Sequence, residues 1–465
     1  MSNQDYQAKN AWLEMEESEV EEIFSFNREY GQFLQANKTE LEFVKSTVKL
    51  LEAEGFKELE SYSSLKTGDK FFKVNRDRAI IAAVMGEKPL TAGIHIVGAH
   101  IDSPRIDLKT NPLSEEEGLV YFNTHYYGGI KKYQWVGIPL ALHGIVVKED
   151  GSKVEISIGE QKDDPVFFIS DLLPHLGREQ MEKKMSEGIS GEQLNLIIGS
   201  IPAQKTSSEK ESKEQVRKAI LKLLDEQYGI SGQDLIGADL QVVPAFRVQD
   251  VGFDRGLLAG YGHDDRVCSY TALKALIDIE KPNNTAMTLL VDKEEIGSMG
   301  NGGMQSRFFE NTVAEMVNLS QESYSDLILR RVIERSKALS ADVAAAFDPS
   351  FPDVYAKNNT PYLGRGVALI KYTGSRGKSG TSEARAEFMA EVRNLFSRSG
   401  VIWQVGEMGK VDQGGGGTIA QFLANYNMDV LDCGPAVLAM HAPYEVVSKV
   451  DVYNTYLAYH VFFEK

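Results

Sequence analysis

Short, mostly apolar runs alternate with helical patterns at both ends of this chain, and this alternation limits the fold more than any other feature. Residues 79–84, 94–97 and 286–291 suit strands that are buried on both faces of a sheet. Apolar residues at helical spacing predict helices over 266–279 and 451–463. The pattern predicts an α/β fold in which helices sandwich a mixed sheet.

Further segments extend this pattern. We expect helices over 326–339 and 383–397 and a strand over 367–371. The first forty residues are acidic and carry apolar side chains at helical spacing. They predict an amphipathic helix that lies on a domain surface.

The middle of the chain has a different pattern, in which strand-like segments are broken by turn residues. These segments are 119–123, 140–147, 153–158, 166–170 and 194–198. One helix is expected over 216–224, after a polar stretch, 204–215, that predicts a mobile surface loop. We therefore predict a discontinuous α/β domain, 1–107 and 249–465, with an inserted β-rich domain over 108–248.

Composition excludes several classes of protein. The 465 residues include 50 Lys and Arg against 67 Asp and Glu, a net charge of −17, so nucleic acid and anionic membranes are not expected partners. Two cysteines exclude a disulfide scaffold and a zinc site built from cysteines. The amino terminus lacks a signal-peptide pattern and no apolar run could span a bilayer, so we expect a cytoplasmic protein.

Metal-capable side chains follow predicted strands or precede a helix at five places. They are His100 with Asp102, Asp264 with Asp265, Glu294 with Glu295, Asp342, and His441. Each has an ordinary explanation by itself, such as a helix cap or a solvated turn. Together, two nitrogen ligands, three oxygen ligands and a spare glutamate are what a two-metal hydrolytic site needs. Ligands of this kind without thiolate favour zinc, with cobalt or manganese as possible substitutes.

Other catalytic motifs are absent from the sequence. The glycine run 414–417 permits a close approach of the backbone, but it lacks the Gly-Lys-Ser/Thr ending of a phosphate-binding loop. There is no Gly-x-Ser-x-Gly elbow, and neither Cys268 nor Cys433 has the setting of a nucleophile. The sequence therefore favours metal-assisted hydrolysis.

Four segments resemble the signatures of the aspartyl aminopeptidase and aminopeptidase I family, metallopeptidase family eighteen. They are His100-Ile101-Asp102-Ser103-Pro104, Glu294-Glu295-Ile296-Gly297-Ser298, Ser340-Ala341-Asp342-Val343-Ala344 and Met440-His441-Ala442-Pro443. The segments occur in the family's order, and the likeness extends over nearly the whole chain. The resemblance implies a zinc aminopeptidase-like fold and a co-catalytic zinc enzyme that removes the N-terminal residue of peptides.

The resemblance also implies a role for each candidate residue. His100, Glu295, Asp342 and His441 would be ligands of two zinc ions per subunit, and Asp264 would bridge the ions. His441 and Glu295 would serve one ion, and His100 and Asp342 the other. Glu294 would be the general base, and Asp102 would orient His100.

The inserted domain carries a further expectation. His175 resembles a family histidine that reaches into a neighbouring subunit's site and stabilises the tetrahedral intermediate. The inserted domain would then be a dimerisation domain, and the family resemblance implies a homo-oligomer of twelve subunits built from dimers. The alternative explanation is that His175 is a surface histidine in an apolar turn.

Several alternatives stay open. The family commonly has Asn where Asp265 stands and often has His where Ala345 stands, and both departures bear on substrate preference. Lys371 matches a basic position that can face an acidic substrate side chain, but it can also be a solvated lysine. Acidic and neutral N-terminal residues are therefore both possible substrates. A dizinc dipeptidase or carboxypeptidase, and a non-catalytic scaffold that retains the fold, are the rival functions.

Overall fold

A computed structural model describes residues 6–203, 214–321 and 323–465. Its helices are α1 (Ala11–Glu14), α2 (Glu17–Ala36), α3 (Glu40–Ala53), α4 (Arg178–Met181), α5 (Met185–Gly188), α6 (Gln215–Tyr228), α7 (His263–Ile277), α8 (Phe308–Ser320), α9 (Asp326–Arg335), α10 (Ala386–Arg398), α11 (Ala420–Ala424) and α12 (Lys449–Glu464). No helix of the described part of the chain is long and apolar enough to cross a membrane.

The strands alternate with these helices. They are β1 (Lys57–Glu58), β2 (Lys70–Asn75), β3 (Ala79–Val84), β4 (Ile94–His100), β5 (Arg105–Glu116), β6 (Leu119–Tyr127), β7 (Leu140–Val147), β8 (Lys153–Ile158), β9 (Leu196–Gly199), β10 (Asp239–Pro244), β11 (Gln249–Val251), β12 (Leu257–Gly260), β13 (Thr285–Val291), β14 (Lys337–Ser340), β15 (Ala344–Ala345), β16 (Val367–Ile370), β17 (Trp403–Val405), β18 (Asp429–Gly434), β19 (Ala436–Leu438) and β20 (Glu445–Ser448).

A nine-stranded mixed sheet forms the centre of the α/β part, in the order β1-β2-β3-β13-β4-β14-β18-β16-β17. Strands β13, β4, β14 and β18 run parallel to one another, whereas β3 runs antiparallel to β13 and β16 runs antiparallel to β18. Alternate residues of β4 enter two separate apolar clusters: Val97 and Ala99 pack with residues of α7 and α12, and Ile94 and Ile96 with residues of α8 and α9. The predicted sheet sandwiched by helices is therefore confirmed.

The chain divides into two compact units. The first contains residues 1–103, 248–440 and 445–465, and the second contains 104–247 and 441–444. The second unit holds an antiparallel six-stranded sheet, β8-β7-β10-β5-β6-β9. The first unit also holds a five-stranded sheet, β11-β12-β20-β19-β15. The predicted role of residues 108–248 in dimerisation stays a prediction.

Some predicted elements differ from the observed ones. The helix expected over 326–339 ends at Arg335, and residues 337–340 are strand β14 instead, because a four-residue strand directly after a helix leaves too few positions to show its own period. The strand expected over 166–170 is limited to isolated bridges at Phe167 and Phe168. Most of the loop predicted over 204–215 lies outside the described residues, and α6 begins at Gln215.

Candidate metal centre

Parallel strands bring the first candidate residues together. His100 is the last residue of β4 and pairs with Val291 at the end of β13, while Ser340 at the end of β14 pairs with Gly98. Asp342 therefore follows its strand at the same edge of the sheet as His100. Sites in open α/β sheets lie at the carboxyl ends of strands.

Asp102 joins His100 to the turn that follows β13. Nδ1 of His100 lies 3.0 Å from the main-chain oxygen of Asp102 and 3.3 Å from its Oδ1. The N–H groups of Glu294 and Glu295 donate to Oδ1 and Oδ2 of Asp102 at 3.1 and 3.2 Å. The Asp102 carboxylate is fully buried, so these bonds set the positions of His100 and of both glutamates.

Asp264 approaches the other side of the His100 ring. Its Oδ1 lies 3.2 Å from Nε2 of His100, and the following peptide bond, between Asp264 and Asp265, is cis. Among the described residues, two sets of three side chains have ligand atoms within 4.8 Å of one another: His100, Asp264 and Glu295, and His100, Asp265 and Asp342. Asp265 was not among the predicted ligands, because the family resemblance implied a bridging role for Asp264 and no ligand role for Asp265.

Burial concentrates charge in this cluster. Burial by itself lowers the pKa of His100, but hydrogen bonds with Asp102 and Asp264 outweigh it and raise that pKa well above its ordinary value. Burial raises the pKa of Asp265, and burial together with the Asp265 carboxylate raises the pKa of Asp342. Carboxylates crowded in this way attract a cation, which would remove their mutual repulsion.

The two residues that flank Asp264 and Asp265 have structural partners. The His263 ring is buried, with Nδ1 2.8 Å from the Tyr30 hydroxyl of α2, and burial lowers its pKa to about 3. Arg266 donates from Nη2 to the main-chain oxygen of Lys38 at 2.7 Å. Gly262 has φ +79°, and a Cβ there would lie 1.8 Å from Nη1 of Arg266, so glycine is required. The sequence contained no periodic signal for these contacts.

The remaining candidates lie elsewhere in the chain. His441 belongs to the second unit, has φ 66° and has Nδ1 2.9 Å from the main-chain oxygen of Gly129. Neither set of ligand atoms includes it, and its role as a ligand stays a prediction. His175 is exposed in the second unit. Lys371 follows β16 and forms an ion pair with Glu383 at 3.2 Å.

Comparison with known proteins decides the family. The family model described as Aminopeptidase I zinc metalloprotease (M18) matches residues 33–463. The chain belongs to the M18 aminopeptidase family. The protein is therefore a zinc metalloaminopeptidase, a hydrolase that acts on peptides.

Relatives of this M18 aminopeptidase cover nearly its whole length. The probable M18 family aminopeptidase 1 of Clostridium acetobutylicum is 49% identical over 458 residues, which are 98% of this chain and 97% of the relative. A crystal structure of an M18 aminopeptidase from Thermotoga maritima has 46% identity and a TM-score of 0.94, and the match covers 99% of this chain and 100% of that one.

One more distant structure supports the fold alone. It is that of the S. cerevisiae mApe1 dodecamer, with 23% identity and a TM-score of 0.75, covering 94% of this chain and 95% of that one.

Proposed function

We propose that this M18 aminopeptidase removes the N-terminal residue of peptides with two zinc ions and a glutamate general base. The proposed ligands are His100, Asp264 as the bridge, Glu295, Asp342 and His441. The observation that carries the proposal is that two sets of ligand atoms, made of buried and half-buried side chains, share His100. Two ions that share neighbouring ligands are typical of hydrolytic two-metal sites.

The donor set fits zinc. The ligand atoms that lie close together combine the His100 imidazole with carboxylate oxygens, and Oδ1 of the neighbouring Asp265 is buried with no hydrogen-bond partner, as expected beside a cation. Burial raises the pKa of the Cys268 and Cys433 thiols, so neither is a thiolate competitor for the metal. Zinc, when bound, supplies a Lewis acid that polarises a carbonyl and lowers the pKa of water.

The protein's own residues supply orientation and proton transfer. Asp102 holds the His100 ring through Nδ1 and, through the two N–H bonds, the glutamate turn. Glu294 is half-buried and next to Glu295 in the chain, and the proposed ligand set assigns it to neither ion. We assign it the transfer of a proton from the attacking water to the leaving amine nitrogen.

The assembly is part of the proposal. We infer a homo-oligomer, a dodecamer built from dimers as the family resemblance implies, in which His175 of one subunit acts in the site of its neighbour. The S. cerevisiae relative is described as a dodecamer. We also propose a cytoplasmic location, which agrees with the two free thiols of Cys268 and Cys433.

A substrate panel tests the activity. Peptides with a free or an acetylated amino terminus are offered to chelator-treated protein and again after zinc, cobalt or manganese is restored. We expect cleavage of free-amine substrates alone, about two zinc ions per chain, and loss of activity with chelator. Cleavage of N-acetylated peptides would favour a carboxypeptidase, and no activity with any metal in folded protein would favour a scaffold. The ratio of Asp and Glu to Leu and Met cleavage gives the substrate preference.

A further inference from the structure

Two buried side chains that the proposed mechanism does not use hold the backbone of Asp264. Oε2 of Glu445 accepts a hydrogen bond from the Asp264 N–H at 3.0 Å, and Oγ of Ser103 donates to the Asp264 main-chain oxygen at 2.6 Å. Glu445 is 1% exposed and Ser103 is 0% exposed. All three residues lie in the first unit.

The backbone at the start of α7 needs hydrogen-bond partners from outside the helix. Asp264 and Asp265 have non-helical backbone angles, with ψ 105° at Asp264, so regular helix bonds do not hold this turn. The N–H groups in the first turn of a helix have no partner within the helix. Gly262, at the N-cap position, has no side chain that could accept a bond from them. Glu445 supplies an acceptor from another strand.

Strand register explains why Glu445 reaches this turn. Glu445 is the first residue of β20 and pairs with Gly260, the last residue of β12. Four residues after Gly260 the chain arrives at Asp264. The pairing therefore brings the Glu445 side chain to the segment that carries Asp264, although 181 positions separate the two residues.

We propose that Glu445 is a positioning residue for the metal centre, because its bond to the Asp264 N–H directs the Asp264 carboxylate towards His100. The Asp264 Oδ1 lies 3.2 Å from Nε2 of His100. This inference rests on the proposed function, in which Asp264 is a zinc ligand. Loss of an outer partner of a metal ligand weakens metal binding by about 10–100-fold in well-studied sites.

The experiment measures metal binding directly. Co²⁺ is titrated into chelator-treated wild type, Glu445→Ala, Glu445→Leu and Glu445→Gln, and both affinity and visible absorption are recorded. We expect the Ala and Leu variants to bind Co²⁺ about tenfold or more weakly and with an altered spectrum. The Gln variant keeps an oxygen acceptor, so its affinity and spectrum stay close to those of wild type.

A matched control separates positioning from general stability. Asp451 is also a buried carboxylate of the first unit, and it accepts bonds from the N–H groups of Gly364 and Gly366 at 2.7 and 2.6 Å. Asp451→Ala is expected to lower stability and to leave the Co²⁺ spectrum of the folded protein unchanged.

Two results would overturn the inference: wild-type Co²⁺ affinity in the Ala or Leu variant, or a Gln variant as impaired as they are. If the Ala and Leu variants do not fold, the Gln variant alone decides. Wild-type protein that binds metal but lacks aminopeptidase activity would count against the proposed function and not against the role of Glu445.

Discussion

Oδ1 of Asp102 lies 3.3 Å from Nδ1 of His100, and the two carboxylate oxygens of Asp102 also accept hydrogen bonds from the N–H groups of Glu294 and Glu295. One buried side chain thus connects the histidine at the end of β4 to the turn after β13. Neighbouring strands bring these residues near each other, and Asp102 sets their directions. A change at Asp102 is therefore expected to affect the ligand and the proposed base together.

Replacement of Asp102 tests this connection. In Asp102→Ala both backbone N–H groups lose their acceptor and the His100 ring loses one partner, so we expect zinc affinity to fall about 10–100-fold. Asp164→Ala is the matched control, because Asp164 also accepts several backbone N–H groups but lies in the second unit. Zinc affinity is measured by competition with a chelator, and equal affinities in the two variants would contradict the role of Asp102.

Glu294→Gln separates proton transfer from metal binding. We expect the variant to keep its fold and zinc content while kcat falls by about 10²–10⁴-fold, because the amide cannot take a proton. Glu295→Gln is the comparison variant. Because Glu295 is a proposed zinc ligand, we expect this variant to lose zinc as well as activity. The measurements are kcat on a free-amine substrate and zinc by elemental analysis. Near-normal turnover in Glu294→Gln would remove Glu294 from the mechanism.

His175 gives a test of a site shared between subunits. The side chain is exposed in one subunit, with exposed Leu172 and Leu176 on either side. His175→Phe is expected to lower kcat without loss of zinc. Mixed oligomers of His175→Phe and Glu294→Gln subunits should regain part of the activity, because the site of a His175→Phe subunit can combine its own intact glutamate with the histidine of a Glu294→Gln partner. Verified mixed oligomers without any rescue would argue against a shared site.

His95 predicts a dependence of stability on pH. Burial lowers the pKa of His95 to about 4, and Nδ1 lies 3.0 Å from the main-chain oxygen of Phe462. The unfolded chain therefore takes up a proton near pH 6.5 that the folded protein does not accept until about pH 4, so stability falls as pH falls through this interval. Between pH 7 and pH 5, we expect His95 to account for a loss of about 2 kcal/mol.

The measurement compares unfolding free energies of wild type and His95→Asn at the two pH values. The asparagine can still donate to the Phe462 oxygen, so the variant should lose less stability on acidification. His125→Asn is the control, because His125 is exposed and its Nδ1 also lies near a main-chain oxygen, that of Tyr126. A wild-type pH dependence in His95→Asn would refute the assignment.

Replacement of two adjacent glycines in the run 414–417 by alanine is expected to change the stability of the protein by different amounts. Gly415 has φ +136°, and a Cβ there would lie 2.2 Å from the main-chain oxygen of Gly374, whereas the nearest atoms to a Cβ on Gly416 are those of Met408 at 3.9 Å. We expect Gly415→Ala to cost about 2 kcal/mol or more and Gly416→Ala to stay within about 0.5 kcal/mol of wild type. Thermal unfolding of both variants checks this, and equal midpoints would contradict the proposed close approach.

Sequence patterns predicted long or strongly apolar elements well and short ones poorly. Strand β3 matches the apolar run 79–84, and α7 and α12 lie where helical spacing placed them. Strand β14 was mistaken for the end of a helix, although it leads to Asp342. Four residues carry too little periodicity to be distinguished from the last turn of the helix before them.

The sequence by itself determined the alternation of helices and strands and the kinds of side chain that follow the central strands. Only the tertiary structure decided that ligand atoms of Asp265, His100 and Asp342 lie close together, and that Glu445 accepts a hydrogen bond from the backbone of Asp264. The physical reason is that periodicity reports which face of an element is buried. Contacts between residues far apart in the chain depend on strand register and on the direction of each side chain, which no local pattern records.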